Sequence, residues 1–262
     1  MQECFSCLRA LLDYASNNPG NESSLYGAVN FILTLFCTSA RVTATKFKNL
    51  HLGSFPQKDL KISKSTKDFR APDFSVLVVQ SGFGQELTQG KISDMAALIW
   101  EVKASSINNP SWFGEGQLEP VEMADSFMRH FHQVAAQVVY AKAKFNQPIH
   151  ILLSIDIWFV LLYFRGDPPS VVWSKGKKSK PQLHPAELCR FEKYIAIPPT
   201  RMFNEECTEF SPAFLYALQL SVEDLIDVTV TPHSSFRAPE GTAELISAEV
   251  CHIRFYPLLN IG

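Results

Sequence analysis

The sequence lacks a basic leader and any apolar run long enough to span a membrane. Its two longest apolar stretches are residues 25–37 and 149–164, and the second contains His150 and Asp156. A membrane-spanning helix needs roughly 18 or more consecutive apolar residues. The N-terminus also has no positive start followed by an apolar core, as a secretory signal would. These absences predict a soluble, intracellular protein, in the nucleus or cytoplasm, that is not secreted and has no membrane partner.

Excess basic charge is missing as well. The chain has 24 Lys and Arg against 26 Asp and Glu, which gives a formal net charge of -2. This balance argues against indiscriminate electrostatic binding to nucleic acid, but it leaves room for a local basic groove. One basic run, residues 174–180, contains Lys175, Lys177 and Lys178. It is either a loop that contacts phosphates or a solvated turn.

Motifs for several common chemistries are absent. There is no P-loop, no complete G-x-G-x-x-G and no G-x-S-x-G nucleophile elbow. The six cysteines are scattered, and no second pair completes a zinc site with Cys4 and Cys7, so reduced thiols are expected. His130 and His132 are two residues apart and cannot share one helix face. Zinc binding and serine-hydrolase chemistry are therefore not predicted.

Apolar periodicity predicts an α/β protein of one domain, residues 1–262, with a mixed sheet. The stretch 46–73 is polar and rich in lysine and is expected to be a loop. The predicted helices span residues 2–16, 21–36, 125–145, 185–196 and 211–220. The predicted strands span residues 74–80, 96–104, 149–155 and 157–165, with further strands expected near 225–230 and 244–256.

Two charges interrupt the apolar strand "LIWEVKAS", residues 98–105. Alternation along a strand puts Ile99, Glu101 and Lys103 on one face and Leu98, Trp100 and Val102 on the other. Burying one charge alone is costly, so the two charges are paired, solvated or needed for chemistry. A surface salt bridge at a sheet edge remains an alternative, and such a bridge contributes little stability.

A third charged group is expected beside this pair. Asp73 stands at the start of the preceding predicted strand, and a hairpin would bring it close to Glu101. Two carboxylates, the backbone carbonyl of Val102 and waters are the ligands that Mg²⁺ or Mn²⁺ takes. Lys103 would then position or deprotonate an attacking water, or neutralise a phosphate. The pattern predicts a metal site for phosphate chemistry.

These residues resemble a known family. Pro72-Asp73 followed by Glu101-Val102-Lys103 is similar to the signature of the PD-(D/E)XK nuclease superfamily, the restriction endonuclease-like proteins, and a fungal nuclease-like member is the nearest likeness. Members often carry a glutamate in the helix before the first core strand, and Glu22 is placed to be it. Many also carry an inward glutamine, and often a tyrosine, in the helix after the lysine strand. Gln133, Gln137 and Tyr140 are the candidates here.

The resemblance implies a fold and a function. The fold is an αβββαβ restriction endonuclease-like core, about residues 20–165, with residues 166–262 as an appended α+β extension. The function is hydrolysis of phosphodiester bonds in DNA or RNA with Mg²⁺ or Mn²⁺. Asp73, Glu101, Val102 and Glu22 would hold the metal, and Lys103, Gln133 and Gln137 would complete the catalytic site. Tyr140 and the lysines of 174–180 would contact nucleic acid.

Two alternatives accompany this reading. One is a nuclease-like binding module that keeps the fold without the chemistry, which the net negative charge favours. The other is an α/β protein with an exposed charged strand face and no site. If the nuclease reading holds, Glu101→Gln or Lys103→Ala should abolish cleavage while changing the melting temperature little.

Overall fold

A six-stranded mixed sheet lies at the centre of the protein, as seen in a computed structural model. The structure describes residues 2–61, 69–81, 95–105, 120–173, 181–183 and 190–250. Helices lie on both faces of the sheet, which confirms the mixed α/β class. The helices are α1 (Gln2–Ser16), α2 (Glu22–Ser39), α3 (Pro120–Phe145), α4 (Pro212–Glu223) and α5 (Thr242–Val250).

Within the described ranges, the strands form the central sheet and three small two-stranded ladders. The central sheet has the order β11-β8-β7-β6-β5-β2, and the ladders pair β1 with β12, β3 with β4 and β9 with β10. The strands are β1 (Arg41–Ala44), β2 (Leu50–Pro56), β3 (Leu60–Lys61), β4 (Phe69–Arg70), β5 (Phe74–Gln80), β6 (Met95–Lys103), β7 (Ile149–Ile155), β8 (Trp158–Phe164), β9 (Val171–Trp173), β10 (Pro181–Leu183), β11 (Ile195–Arg201) and β12 (Val228–Thr231).

One parallel pair determines how the central sheet is arranged. Strands β6 and β7 run parallel, and every other pair of neighbours in this sheet is antiparallel. A parallel pair needs a long crossover, and α3 lies in the crossover here. The register places Lys103 beside Ile155, at the carboxyl ends of β6 and β7. The carboxyl ends of β6 and β7 therefore lie side by side along one border of the sheet, the border formed by strand ends; 'sheet edge' refers to this border where the site is described.

The two faces of β6 enter different core layers, as strand alternation predicts. Leu98, Trp100 and Val102 pack with α1, α2 and α4, whereas Ile99 packs with α3. Helix α3 contains the predicted helix 125–145, and one stripe of it is fully covered: the side chains of Phe127, Phe131, Val134, Val138 and Ala141 are all buried. The sheet is thus covered on both faces, which is the usual setting of a parallel strand pair.

Local sequence signals explain where two of the helices begin. Asn21 caps α2, because its side-chain oxygen accepts a hydrogen bond from the backbone N–H of Ser23. Ser211 caps α4 in the same way, with Pro212 in the first turn, where a missing N–H costs nothing. The cap at Asn21 leaves Glu22 in the first turn of α2, beside the sheet edge.

The predicted loop at 46–73 is wrong. Leu50–Pro56 forms edge strand β2, which pairs with β5 along its whole length, and Leu60–Lys61 pairs with Phe69–Arg70. Of the β2 side chains, only Leu50 and Leu52 are buried. An edge strand pairs on one side only and tolerates polar residues and proline, so its sequence resembles that of a loop.

Two predictions in the C-terminal third are also wrong. The helix expected at 185–196 is, over its described part, a 3-10 turn (Phe191–Tyr194) that leads into β11. The strand expected at 244–256 is helix α5 up to Val250, and the rest lies outside the described residues. Pairing with β8 overrides the helix propensity in the first case, and the Ala, Glu and Leu content of α5 favours a helix in the second.

The described residues after 165 pack into the same body as the core. Strand β11 extends the central sheet, and β12 pairs with β1 near the N-terminus. Phe214, Leu218 and Phe236 belong to the core layer that also contains α2. Among the described residues, no helix combines the length and the apolar character needed to cross a membrane.

A buried histidine at the start of β7 makes stability depend on pH. Burial lowers the pKa of His150 to about 4, although Asp224, 4.0 Å away, opposes this. The unfolded chain takes up a proton near pH 6.5, so the contribution of neutral His150 is present above that pH and lost as the pH falls toward 4. The loss amounts to about 3 kcal/mol.

We expect His150→Phe, which keeps a ring stacked on Tyr163, to remove this part of the acid sensitivity. Urea unfolding of both proteins between pH 7 and 4.5 measures it. Burial raises the pKa of Asp156 to about 6, so this group stabilises the folded protein as the pH falls, opposite to the effect of His150. The effect of His150 is therefore the difference between the variant and the wild type at each pH. Exposed His132 provides the control variant His132→Gln. Parallel stability curves for wild type and His150→Phe would contradict the prediction.

Candidate active site

Strand β6 buries a carboxylate and an ammonium together at its carboxyl end. Lys103 Nζ lies 2.7 Å from Glu101 Oε1. Glu101 is 1% exposed and Lys103 is 6% exposed, so this is a buried pair and not a surface salt bridge. The alternative of an exposed, charged strand face is therefore wrong. Both side chains share the face of β6 that alternation predicts.

Asp73 lies beside this pair, at the start of β5. Antiparallel pairing sets Phe74 opposite Trp100, which brings Asp73 to the end of β6. Its Oδ2 accepts a hydrogen bond of 2.7 Å from the backbone N–H of Val102. The hairpin thus brings together the two carboxylates that the sequence predicts to be neighbours. Val102 was expected to offer its carbonyl to a metal, and here its N–H binds Asp73.

Helix α3 covers the pair from above with two glutamines. Gln137 Nε2 donates to Glu101 Oε2 at 2.5 Å, and Gln133 Nε2 donates to Glu101 Oε1. The two glutamines are four residues apart and so lie on one face of the helix. The sequence left open which glutamine points inward, and in this structure both do. Three donors therefore converge on one carboxylate.

Glu22 approaches from the opposite side of the sheet edge. Both of its carboxylate oxygens lie 3.5 Å from Lys103 Nζ. The side chain of Glu22 is 43% exposed, whereas that of Lys103 is 8% exposed. Lys103 thus bridges a buried carboxylate and a half-exposed one. Glu22 thus contacts Lys103, and its predicted role as a metal ligand stays a prediction.

Burial and charge act against each other at the centre of this cluster. Burial raises the pKa of Glu101, the nearby Asp73 raises it further, and Lys103 and Gln137 oppose the rise. For Lys103, burial lowers the pKa, but the carboxylates of Glu101, Glu22 and Asp73 together outweigh it and raise the pKa overall. The three carboxylates therefore form a concentrated acidic environment around the ammonium of Lys103.

The donor set suits a hard divalent cation held by few protein ligands. Within the described ranges, no three His, Cys, Asp or Glu side chains converge on a common metal position. Mg²⁺, however, is usually held by one or two carboxylates and keeps several waters. Gln137 Oε1 is buried beside Glu101 and has no hydrogen-bond partner among the described residues. A buried acceptor of this kind fits a water carried by such a cation.

Of the residues predicted to contact nucleic acid, Tyr140 is within the described part of the chain, and it is buried. Tyr140 is 5% exposed and packs in the core layer beneath α3, so its position does not support a contact with nucleic acid. Lys175, Lys177 and Lys178 lie outside the described residues.

Two site neighbours were not predicted from the sequence. The Tyr26 hydroxyl donates to Asp73 Oδ1 at 2.5 Å. Burial lowers the pKa of His130 to about 4, and the nearby ammonium of Lys103 contributes to this lowering. Helical spacing is the signal that would have found them: Tyr26 is four residues after Glu22, and His130 is three before Gln133.

Comparison with models of known protein families, with curated proteins and with solved structures finds no match for this chain.

Proposed function

We propose that this protein is a metal-dependent nuclease that hydrolyses phosphodiester bonds in DNA or RNA. The observation that supports it most is the convergence of Asp73, Glu101 and Lys103 at one sheet edge. When only the strands of the central sheet and the helices beside them are counted, the chain runs α2, β2, β5, β6, α3, β7, with β6 and β7 parallel. This order agrees with the αβββαβ core that the resemblance to PD-(D/E)XK nucleases implies. We therefore extend the proposal to the restriction endonuclease-like fold.

In this proposal Asp73 and Glu101 hold Mg²⁺ or Mn²⁺, with Glu22 near enough to act through waters. When bound, the ion would polarise a phosphate oxygen and make a water more acidic. Gln133 and Gln137 hold Glu101 by hydrogen bonds to both of its oxygens, which fixes the direction of this carboxylate. Ligand carboxylates that are themselves hydrogen-bonded are the rule at metal sites.

Two roles are open to Lys103 in this proposal, neutralising the phosphate or deprotonating the attacking water, and the carboxylates around it favour the first. As an ammonium paired with Glu101, it is a donor of hydrogen bonds and a positive charge. Hydrolysis forms a bond from a water oxygen to phosphorus and breaks the bond from phosphorus to the leaving oxygen. A proton of the water passes to the solvent, the leaving oxygen takes one from the solvent, and negative charge grows on the phosphate in between. An ammonium fixed near that phosphate stabilises this charge. We therefore favour neutralisation of the phosphate over deprotonation of water for Lys103.

The test measures metal binding and cleavage in the same preparation. We expect wild-type protein to bind Mn²⁺ in a calorimetric titration, and Asp73→Asn to weaken binding at least about tenfold because a charged ligand is lost. Cleavage is assayed on labelled single- and double-stranded DNA and RNA with Mn²⁺, with Mg²⁺ and with a chelator.

The matched control is Asp224→Asn. Asp224 lies beside His150, at the opposite end of β7 from the end that pairs with Lys103. The Asp224→Asn substitution should therefore leave metal binding unchanged. If wild-type protein binds no Mn²⁺, or if its cleavage persists in chelator, the proposed function is wrong.

One observation favours a second candidate, a nuclease-like module that binds nucleic acid without cutting it. The ammonium of Lys103 already contacts both Glu101 and Glu22 and neutralises part of their charge without a metal. In this case nucleic acid would bind equally well with and without Mn²⁺, and no product would form. A filter-binding or anisotropy titration with and without metal distinguishes this module from the nuclease.

A further inference from the structure

Tyr26 on α2 contacts the candidate active site through one short hydrogen bond. Its hydroxyl donates to Asp73 Oδ1 at 2.5 Å, while the backbone N–H of Val102 donates to Asp73 Oδ2. Both oxygens of this carboxylate are therefore held by the protein, each from a different side. A carboxylate held at both oxygens cannot rotate freely about its side-chain bonds.

Helix α2 places Tyr26 and Glu22 on the same face, one turn apart. Glu22 contacts Lys103, and Tyr26 contacts Asp73. The ring of Tyr26 packs edge-on against Phe74, with 5.5 Å between ring centroids, and is fixed independently of its hydroxyl. Helix α2 thus contacts both Lys103, through Glu22, and Asp73, through Tyr26.

The chemistry of the two groups fixes the direction of this hydrogen bond. A phenol O–H is a donor, and an ionised carboxylate can only accept. An ionised carboxylate has about four lone-pair sites, so the hydrogen bonds from Tyr26 and from the backbone N–H of Val102 leave lone pairs of Asp73 for a cation.

We propose that Tyr26 is a positioning residue that orients Asp73 for binding of the divalent cation. This inference rests on the proposed function, in which Asp73 is a metal ligand. Hydrogen-bond partners of metal ligands commonly change metal affinity about 10- to 100-fold when they are removed. Tyr26 does not contact the phosphate in this proposal and acts only through Asp73.

The test is Tyr26→Phe in the full chain, with Mn²⁺ as the probe. Because Phe retains the packing against Phe74, the fold should survive, and circular dichroism checks this. We expect the dissociation constant for Mn²⁺, measured by calorimetry, to rise about tenfold. In cleavage assays kcat at limiting Mn²⁺ should fall by a similar factor, while KM for nucleic acid stays unchanged. Excess Mn²⁺ should restore kcat.

The matched control is Tyr163→Phe. Tyr163 also forms a hydrogen bond to an aspartate, Asp224, but does so at the other end of the sheet. The Tyr163→Phe variant should bind Mn²⁺ with the wild-type affinity.

The outcomes separate this inference from the proposed function. If wild type binds Mn²⁺ and Tyr26→Phe binds it equally well, the positioning role is overturned while the nuclease proposal stands. If Tyr26→Phe raises KM for nucleic acid and leaves Mn²⁺ affinity alone, the positioning role is also overturned, because the hydroxyl would then act on substrate. If wild type binds no Mn²⁺, both proposals fall.

Discussion

Lys103→Met is expected to lower the free energy of unfolding by about 3 kcal/mol at pH 7, because it leaves Glu101 buried without its counter-ion. Glu101 is 1% exposed, and Gln133 and Gln137 are neutral donors that cannot replace a positive charge. Removing one member of a buried ion pair is far more damaging than removing both. Urea unfolding at constant pH measures the loss.

The double variant Glu101→Gln/Lys103→Met should recover most of this stability. A neutral amide at 101 and an apolar chain at 103 leave no buried charge, so we expect unfolding within about 1 kcal/mol of wild type. Glu101→Gln alone should cost less than Lys103→Met, because Lys103 keeps its contact with half-exposed Glu22. A double variant as unstable as Lys103→Met would contradict this account of the pair.

The stability lost in Lys103→Met should depend on pH in a definite direction. Burial and Asp73 raise the pKa of Glu101, and the loss of Lys103 would raise it further. A carboxyl whose pKa is raised by folding stabilises the folded state below the pKa of the unfolded chain and loses that contribution as the pH rises. The deficit of Lys103→Met should therefore be smallest near pH 4 and grow toward pH 7. Asp13→Asn, which breaks an exposed pair, is the control and should cost under about 1 kcal/mol.

This expectation corrects the one drawn from the sequence alone. Alternation along the strand placed Glu101 and Lys103 on one face, and both lie there. It could not show how deeply they are buried, because burial depends on α3, which is distant in sequence and lies across them. Neutral substitution was therefore expected to leave the melting temperature little changed. With both side chains covered, the stability cost cannot be small.

The parts of the fold that were predicted well are those whose sequence pattern directly reflects burial. Strand β6 and helix α3 have apolar residues with clear periods of two and of three to four. Strands β2 and β11 were missed because each lies at an edge of the central sheet and has polar or proline residues there. Only pairing with β5 and β8 makes them strands, and pairing is a long-range property that local propensity does not contain.

The candidate site shows the same division. Asp73, Glu101 and Lys103 were predicted because a hairpin and one strand bring them together. Helical spacing puts Tyr26 on the same face as Glu22, but its hydrogen bond to Asp73, 47 positions away in the chain, depends on how α2 packs against the sheet. Tyr140 was expected to contact nucleic acid on a helix motif, yet it faces the core. Which side a helical residue faces depends on how the helix sits on the sheet.

The largest functional effect is expected at the same lysine. In the proposed nuclease, Lys103→Met should reduce kcat by about a thousandfold, because a fixed charge on the phosphate is lost at the transition state. Lys103→Arg retains the charge with a larger, planar group and should retain more activity than Lys103→Met. Single-turnover cleavage with saturating Mn²⁺ measures the chemical step apart from metal binding.

Loss of activity through loss of fold must be separated from loss of chemistry. Leu218→Ala on α4 is a suitable control, since Leu218 is fully buried in the core layer on the other face of the sheet from α3. Such a truncation costs about 2–5 kcal/mol, comparable to the loss expected for Lys103→Met. At a temperature where both variants are folded, Leu218→Ala should cleave at nearly the wild-type rate and Lys103→Met should not. If the two variants lose activity in parallel, Lys103 contributes only to stability and has no part in the chemistry.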